Sequence, residues 1–309
     1  MIRFCRARLF VVSFFLAYSA VTVSAVEGAD VQAQIRGKEA LPHSASTGFP
    51  IFELNPQRQQ CISACFEESK QAPIGYDAIA EMCNAECDFI EALQDYNNKP
   101  RGERSNAVKI LCAHSGDARA VAPLIEALQH DIDERTGLWA WIIPALGASQ
   151  DSRATAILTR ALTINDDSWL GREMAAHALG QIGDVSAVPF LVDAAWRGDT
   201  RDAAIKALTN YLDERATPVL ISALGSDEDE QTREVAMRGL HNLGPAAVPE
   251  LAKFFVAYSP EYPQTQERVS VCQLLGSSGD KRAIALLKKH THDADKAVGN
   301  CARKYSMRD

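Results

Sequence analysis

An aspartate recurs at Asp117, Asp151, Asp184, Asp213 and Asp280, and Gly244 stands in the same place in the fifth of six copies. The shortest interval is the 29 residues from Asp184 to Asp213, and the longest is the 36 from Gly244 to Asp280. Three residues past each anchor comes an alanine: Ala120, Ala154, Ala187, Ala216, Ala247, Ala283. Seven past it comes a leucine: Leu124, Leu158, Leu191, Leu220, Leu251, Leu287. A period of this length is the mark of helix pairs stacked in a row. One pair cannot bury its apolar face alone, so the array folds by stacking.

Each slot has a physical reason. The anchor aspartate caps the second helix of its pair by accepting backbone N–H bonds, and a preceding glycine (Gly116, Gly183, Gly279) can take φ > 0 to end the first. A proline early in the second helix (Pro123, Pro189, Pro218, Pro249) sits where a missing N–H costs little. The alanine allows close helix approach, and the leucine fills the space between neighbours. The pattern is clearest in Ala178-Leu179-Gly180-Gln181-Ile182-Gly183-Asp184 followed by Ala187-Val188-Pro189-Phe190-Leu191. It resembles HEAT repeats, in particular the short HEAT-like type first associated with phycobilisome lyases, over residues 103–309. The resemblance implies an all-α chain: a right-handed α-solenoid of about six HEAT-like helix pairs, preceded by a disulfide-stapled helical hairpin. Most such arrays are binding scaffolds and some are enzymes, and the resemblance supplies no catalytic positions.

Residues 1–25 carry Arg3, Arg6 and Arg8, an apolar run from Leu9 to Tyr18, and Val23-Ser24-Ala25. This is the layout of a secretory signal peptide cleaved after Ala25. An uncleaved membrane anchor is the alternative, although the run is short against the roughly 20 residues of a span. Cleavage would make a chain of formal charge −8 more acidic still, which disfavours nucleic acid as a partner. No later apolar run approaches a membrane span. Residues 26–54 read as an irregular linker.

Residues 55–98 read as a hairpin, with Asn55-Pro56 opening a helix to about Lys70 and Asp77 capping a second to about Tyr96. Cys61 and Cys65 share one helix face, as do Cys83 and Cys87. In an antiparallel hairpin, facing residues have a constant index sum. That holds for Cys61–Cys87 with Cys65–Cys83, and fails for the crossed pairing. In an oxidising compartment such bridges persist, and the inner one would contribute about 3 kcal/mol. A four-thiolate zinc site is the alternative that the spacing also permits. The twin C-x3-C spacing resembles the small hairpin chaperones of the mitochondrial intermembrane space over about 40 residues, a likeness read as convergent stapling. A third bridge, Cys272–Cys301, is open if the two cysteines face each other across neighbouring helices. Cys112 falls in a leucine slot and is expected to be buried and unreactive.

Trp139, Trp141, Trp169 and Trp196 all fall within 58 residues, with Arg172 and Arg197 nearby. They read as core filler around an imperfect repeat in which Pro144 interrupts a helix, or else as an aromatic and cationic patch for a small ligand, peptide or glycan. The acidic run Asp227–Glu230 reads as a solvated loop feeding a helix N-terminus. None of the seven histidines precedes a glutamate, so the His-Glu pairs of HEAT-repeat di-iron hydroxylases are absent. His177 and His241 read as hydrogen-bonded structural residues, and His290-Thr291-His292-Asp293 as a weak metal signal. No motif for a nucleophile elbow, phosphate loop or zinc protease occurs. No cofactor, metal or catalytic residue is therefore expected. The function that follows is an exported scaffold binding a protein partner, with Glu126, Arg160, Asp193, Lys253 and Lys288 as an exposed ridge on the second helices. An enzyme or enzyme subunit acting on an exported protein, lyase-like or chaperone-like, is the alternative.

Overall fold

The computed structural model describes residues 56–70, 72–164, 169–225, 229–257 and 265–307. The expected signal segment 1–25 and linker 26–54 lie outside the described residues, as do Asn55, Asp227 and Glu228. The described residues are helical throughout, with no strand among them. Residues 55–309 form one compact unit.

α1 (Pro56–Ser69) and α2 (Tyr76–Asn98) form the hairpin. Cys61 is bonded to Cys87 and Cys65 to Cys83, with Cα–Cα separations of 5.9 and 5.6 Å. All four sulfurs are thereby consumed, and the zinc alternative falls. Asp77 does not cap α2: Gly75 takes the cap position, without a side-chain bond, and Asp77 lies inside the first turn. The opposite face of α2 buries Phe89, Ala92 and Tyr96 in the same core as the first array helices. The hairpin thus shields the end of the stack, where an array would otherwise expose its apolar interior.

Six helix pairs follow: α3 (Ser105–Ala113) with α4 (Ala118–Glu134), α5 (Trp139–Ser149) with α6 (Thr155–Thr163), α7 (Trp169–Ile182) with α8 (Val188–Ala195), α9 (Arg201–Leu208) with α10 (Thr217–Ser222), α11 (Glu230–Leu243) with α12 (Val248–Val256), and α13 (Thr265–Ser277) with α14 (Lys281–Lys289). A single helix α15 (Lys296–Ser306) closes the array, and Cys301 on it is bonded to Cys272 on α13. The alanine slots Ala120, Ala154, Ala187, Ala216, Ala247 and Ala283 are each 0% exposed. The six leucines are buried as well. Each is a side chain whose removal from water stabilises the fold by about 1.5–3 kcal/mol.

The corners carry a device beyond the capping aspartate. Asp117, Asp151, Asp213 and Asp280 each accept the backbone N–H two residues on, from Arg119, Arg153, Arg215 and Arg282. Each of those arginines folds its guanidinium back onto the same carboxylate. Bonds from the arginine hold the carboxyls of Asp151, Asp213 and Asp280 below the usual range. Three of the forks also reach the preceding unit: Arg119 to Glu86 of the hairpin at 2.8 Å, Arg153 to the Ala118 carbonyl at 3.1 Å, and Arg215 to the Val185 carbonyl at 3.5 Å. One arginine therefore both closes a corner and stitches it to its neighbour.

Several expectations change. Gly183, Gly244 and Gly279 have positive φ, whereas Gly116 does not. At the second corner it is Gln150 that is left-handed, at φ 52°. A side chain there costs about 1–2 kcal/mol relative to glycine, partly offset by the greater chain entropy of glycine when unfolded. Gln150→Gly is accordingly expected to stabilise the chain by up to about 1 kcal/mol, read as a raised melting temperature; a lowered one would show that Gln150 makes a compensating contact. Pro144 does not break α5, which runs on to Ser149. The carbonyl it leaves without a donor belongs to Ala140, an exposed residue that water can reach. At the first pair the helix is turned by about one residue. Leu111 takes the buried slot, and Cys112 is only partly buried. What burial it has pushes its thiol up to about 12, so the inert reading of Cys112 survives. His177 and His241 are exposed, not core histidines. Asp229 caps α11 through the Thr232 N–H at 2.9 Å, at the end of the acidic run.

Candidate functional site

First helices begin, and second helices end, at the same edge of the array, where turns join one pair to the next. Three arginines occupy one repeat position here, twelve residues before their anchors: Arg172, Arg201 and Arg268. Each donates to a carbonyl at or near the end of the preceding second helix: Arg172 to Ile164 at 3.1 Å, Arg201 to Ala195 at 2.9 Å, Arg268 to Phe255 at 3.3 Å. Two of them also hold a carboxylate of the following turn, Arg172 pairing with Asp199 and Arg268 with Asp293. Positive charge at a helix C-terminus is favourable, and each of these two fastens one turn to the next. Arg172 is thus largely buried in a structural role. The slot alignment could have revealed it, had Trp139, which fills the same position in the second pair, not masked the pattern.

Where Trp139 replaces the arginine, the packing opens. A cavity of about 220 Å3 lies there, lined by the apolar side chains Leu128, Ile132, Trp139, Ile143, Ala161 and Ile164, with Asp131, Arg135 and Arg172. Asp131 is buried and faces inward: its carboxylate accepts from the Leu138 N–H at 2.7 Å, the Trp139 N–H at 3.1 Å and the Thr136 hydroxyl. It fixes the turn into α5. A second depression, of about 520 Å3 and bounded by Thr163, Ile164, Arg172, Arg197 and Asp199, shares two of these residues, so the recess continues toward the next turn.

The tryptophans are not core filler, with the exception of Trp139, which packs against the core. Trp141, Trp169 and Trp196 are 57%, 54% and 57% exposed. Trp141 lies in the first turn of α5, Trp169 begins α7, and Trp196 ends α8. All three therefore stand at the inter-repeat edge, on the second and third pairs, joined there by exposed Leu170. The Lys109 ammonium sits 5.9 Å over the Trp141 ring and the Arg201 guanidinium 6.0 Å over that of Trp196. Arg135 and Arg197 are exposed at the two ends of the recess, with no ion pair among the described residues.

The second-helix ridge is more dispersed. Glu126, Arg160, Asp193, Lys253 and Lys288 are all exposed. Four are engaged within the fold: Glu126 with Arg104 at 3.3 Å, Arg160 with Asp133 at 2.8 Å, Lys253 with Glu250 at 2.5 Å, and Lys288 as well. In the His290–Asp293 segment the carboxylate is engaged within the fold. Asp293 is held by Arg268 and by His290 Nδ1 at 3.1 Å, and no cluster of metal-ligating side chains occurs among the described residues. No helix among them is long and apolar enough to cross a membrane.

Residues 139–202, which contain the cavity's aromatic wall and all four tryptophans, match the family of HEAT repeats. No curated protein matches the chain. Among solved structures, the chain is similar to human deoxyhypusine hydroxylase in complex with glycerol, at 21% identity over 73% of this chain and 96% of that one, with a TM-score of 0.34. It is also similar to YibA of Escherichia coli, at 16% identity over 87% of this chain and 100% of that one, with a TM-score of 0.39. Helix pairs repeat in register along the described residues, and the stretch 139–202 within them is similar to HEAT repeats.

Proposed function

We propose that the chain is an exported, non-enzymatic scaffold that binds a protein partner at the inter-repeat edge of its second and third helix pairs. The observation that carries this is the exposure of Trp141, Trp169 and Trp196 beside an apolar recess. Tryptophan is enriched among the residues that dominate protein–protein binding, and a patch of this kind marks an interaction site. Export is supported by three disulfides in one chain, a usage that belongs to oxidising compartments, together with the N-terminal signal read from residues 1–25. On this reading 26–54 is a linker, 55–98 a stapled hairpin that covers the first repeat, and 103–309 the binding array. Asp193, exposed on a second helix, is a second-rank contact.

The test is a photo-crosslinking side chain placed at position 141 or 196 and activated in the native cell. Adducts and unreacted chain are then weighed with and without reduction. A discrete protein adduct is expected, on a chain that lacks residues 1–25 and gains the mass of three reduced bridges. An intact N-terminus with free thiols at Cys61, Cys65, Cys83 and Cys87 would overturn export. Absence of any adduct, together with turnover of a defined substrate, would overturn the scaffold.

A further inference from the structure

Resting on that scaffold reading, the chemistry of the recess narrows what the partner presents. The cavity behind Trp139, at about 220 Å3, has room for one large side chain, and the recess continues from it along the edge. The cavity walls are six apolar side chains, and the charged groups at its back are occupied within the fold. Asp131 accepts three bonds from its own turn, and Arg172 donates to Ile164 and Asp199. A sugar hydroxyl placed inside would trade water for unpaired burial, which is unfavourable. An apolar or aromatic side chain would not.

At the rim the charge is different. In a chain of formal charge −8, the exposed groups that bound the recess without an ion pair among the described residues are Arg135 and Arg197. Lys109 adds a third cation, stacked over Trp141. Arg135 belongs to the turn between the first and second pairs and Arg197 to the turn between the third and fourth, two repeat steps apart. Packed helices lie about 8–10 Å apart, so the two arginines are on the order of 16–20 Å apart. An extended strand, rising about 3.3 Å per residue, covers that in about six residues.

We infer that the edge takes an extended acidic peptide segment of the partner, with one large apolar side chain in the cavity behind Trp139 and carboxylates about six residues apart against Arg135 and Arg197. Trp141, Trp169 and Trp196 flank the strand and exclude water from its ion pairs, where such pairs are worth more than on an open surface.

The experiment is selection from a library of short random peptides displayed on phage, using the immobilised, disulfide-bonded full chain, followed by fluorescence anisotropy on the labelled winners. Two variants are compared with the parent chain. Arg135→Glu/Arg197→Glu reverses the rim at two exposed positions, and Ala161→Leu fills the cavity from a residue already lining it; circular dichroism and melting confirm both folds. Expected are peptides in which two or more carboxylates bracket a Phe, Trp or Leu. Each variant should weaken their binding by about tenfold or more, and the rim contribution should fade at about 0.5 M salt. Enrichment of basic peptides would overturn the inference. So would acidic winners whose affinity changes by less than about twofold in both variants; in that case a discrete adduct at position 141 or 196 would leave the scaffold reading standing. Failure to enrich any peptide overturns this site, and joined to absence of an adduct it removes the scaffold reading as well.

Discussion

Arg268→Met is expected to cost about 3–5 kcal/mol at neutral pH, because it strands a buried carboxylate. Arg268 is 2% exposed and grips Asp293 with two parallel bonds, at 3.0 and 2.8 Å. Its guanidinium also lies 5.2 Å from the Phe255 ring centroid and donates to the Phe255 carbonyl. One side chain thus ties the end of α12 to the turn before α15. The pH dependence should weaken with the substitution. In the parent chain the guanidinium holds the Asp293 carboxyl well below the ordinary carboxylate range. The carboxylate therefore contributes stability above its unfolded value near about pH 3.9. That contribution disappears as pH falls through the lowered folded value. Without Arg268, only the bonds from His290 and the Asp295 N–H are left to oppose burial, so the folded value rises and less of the stabilisation at neutral pH is lost on protonation. Urea midpoints at pH 7 and pH 4 read this directly: the gap between parent and variant should narrow in acid, and Arg268→Met/Asp293→Asn should recover much of the loss at pH 7. A gap independent of pH would mean that the cost is lost packing around Phe255 and not the stranded charge. Because each repeat touches only its neighbours, the loss should show first as early melting of the C-terminal pair.

The corners of this array are legible in the sequence because the constraint on each slot is local. An aspartate caps the two or three residues after it, an alanine meets a neighbouring helix at a fixed distance, and a leucine points into the same gap every turn of the array. The cysteine hairpin is legible for a similar reason, since antiparallel register alone ties Cys61 to Cys87 and Cys65 to Cys83. The inter-repeat edge is not legible in the same way. Its turns differ in length, so the arginines at 172, 201 and 268 do not announce themselves as one position when Trp139 and Thr232 interrupt the series. Periodicity also cannot tell whether an aromatic residue near a helix start is buried. Helical side chains lean toward the N-terminus, so Trp141 and Trp169 overhang the edge instead of packing onto the neighbouring pair. The recess exists for a reason the pattern does hold, the replacement of a stitching arginine by a tryptophan. Its consequence depends on what the opened space is lined with, and that takes the packed structure to see.

Gly180 and Gly183, three residues apart in the clearest repeat, should differ in which substitutions they tolerate, because different physics selects each. A Cβ on Gly183 would meet nothing within 4 Å, but the residue has φ +72°. Its cost is therefore conformational, and Gly183→Asn, which tolerates that region, should destabilise by about 1 kcal/mol or less. Gly180 has ordinary helical dihedrals, and a Cβ there would stand 2.9 Å from the Ala207 Cα and 3.0 Å from its Cβ. The approach is locked by the Tyr211 hydroxyl donating to the Leu179 carbonyl at 2.6 Å and by Asn210 donating to the Gly180 carbonyl at 3.1 Å. Helix propensity favours replacing Gly180 by about 1 kcal/mol for alanine, yet the obstacle is backbone and cannot rotate away. Overpacking of this kind costs about 1–3 kcal/mol and sometimes more. Gly180→Val, bulkier and β-branched, should therefore lose about 3 kcal/mol net, seen as a lowered melting temperature with loss of cooperativity across α7 and α9. Gly147 makes the same close approach to Ala178 one repeat earlier, so Gly147→Val should behave alike. The second-site change Ala207→Gly removes a methyl but leaves the Cα in place, and should restore little of the loss at Gly180. Full rescue by Ala207→Gly would show that the two helices are held apart by side chains alone, and that the close backbone contact is not what sets the spacing of the array.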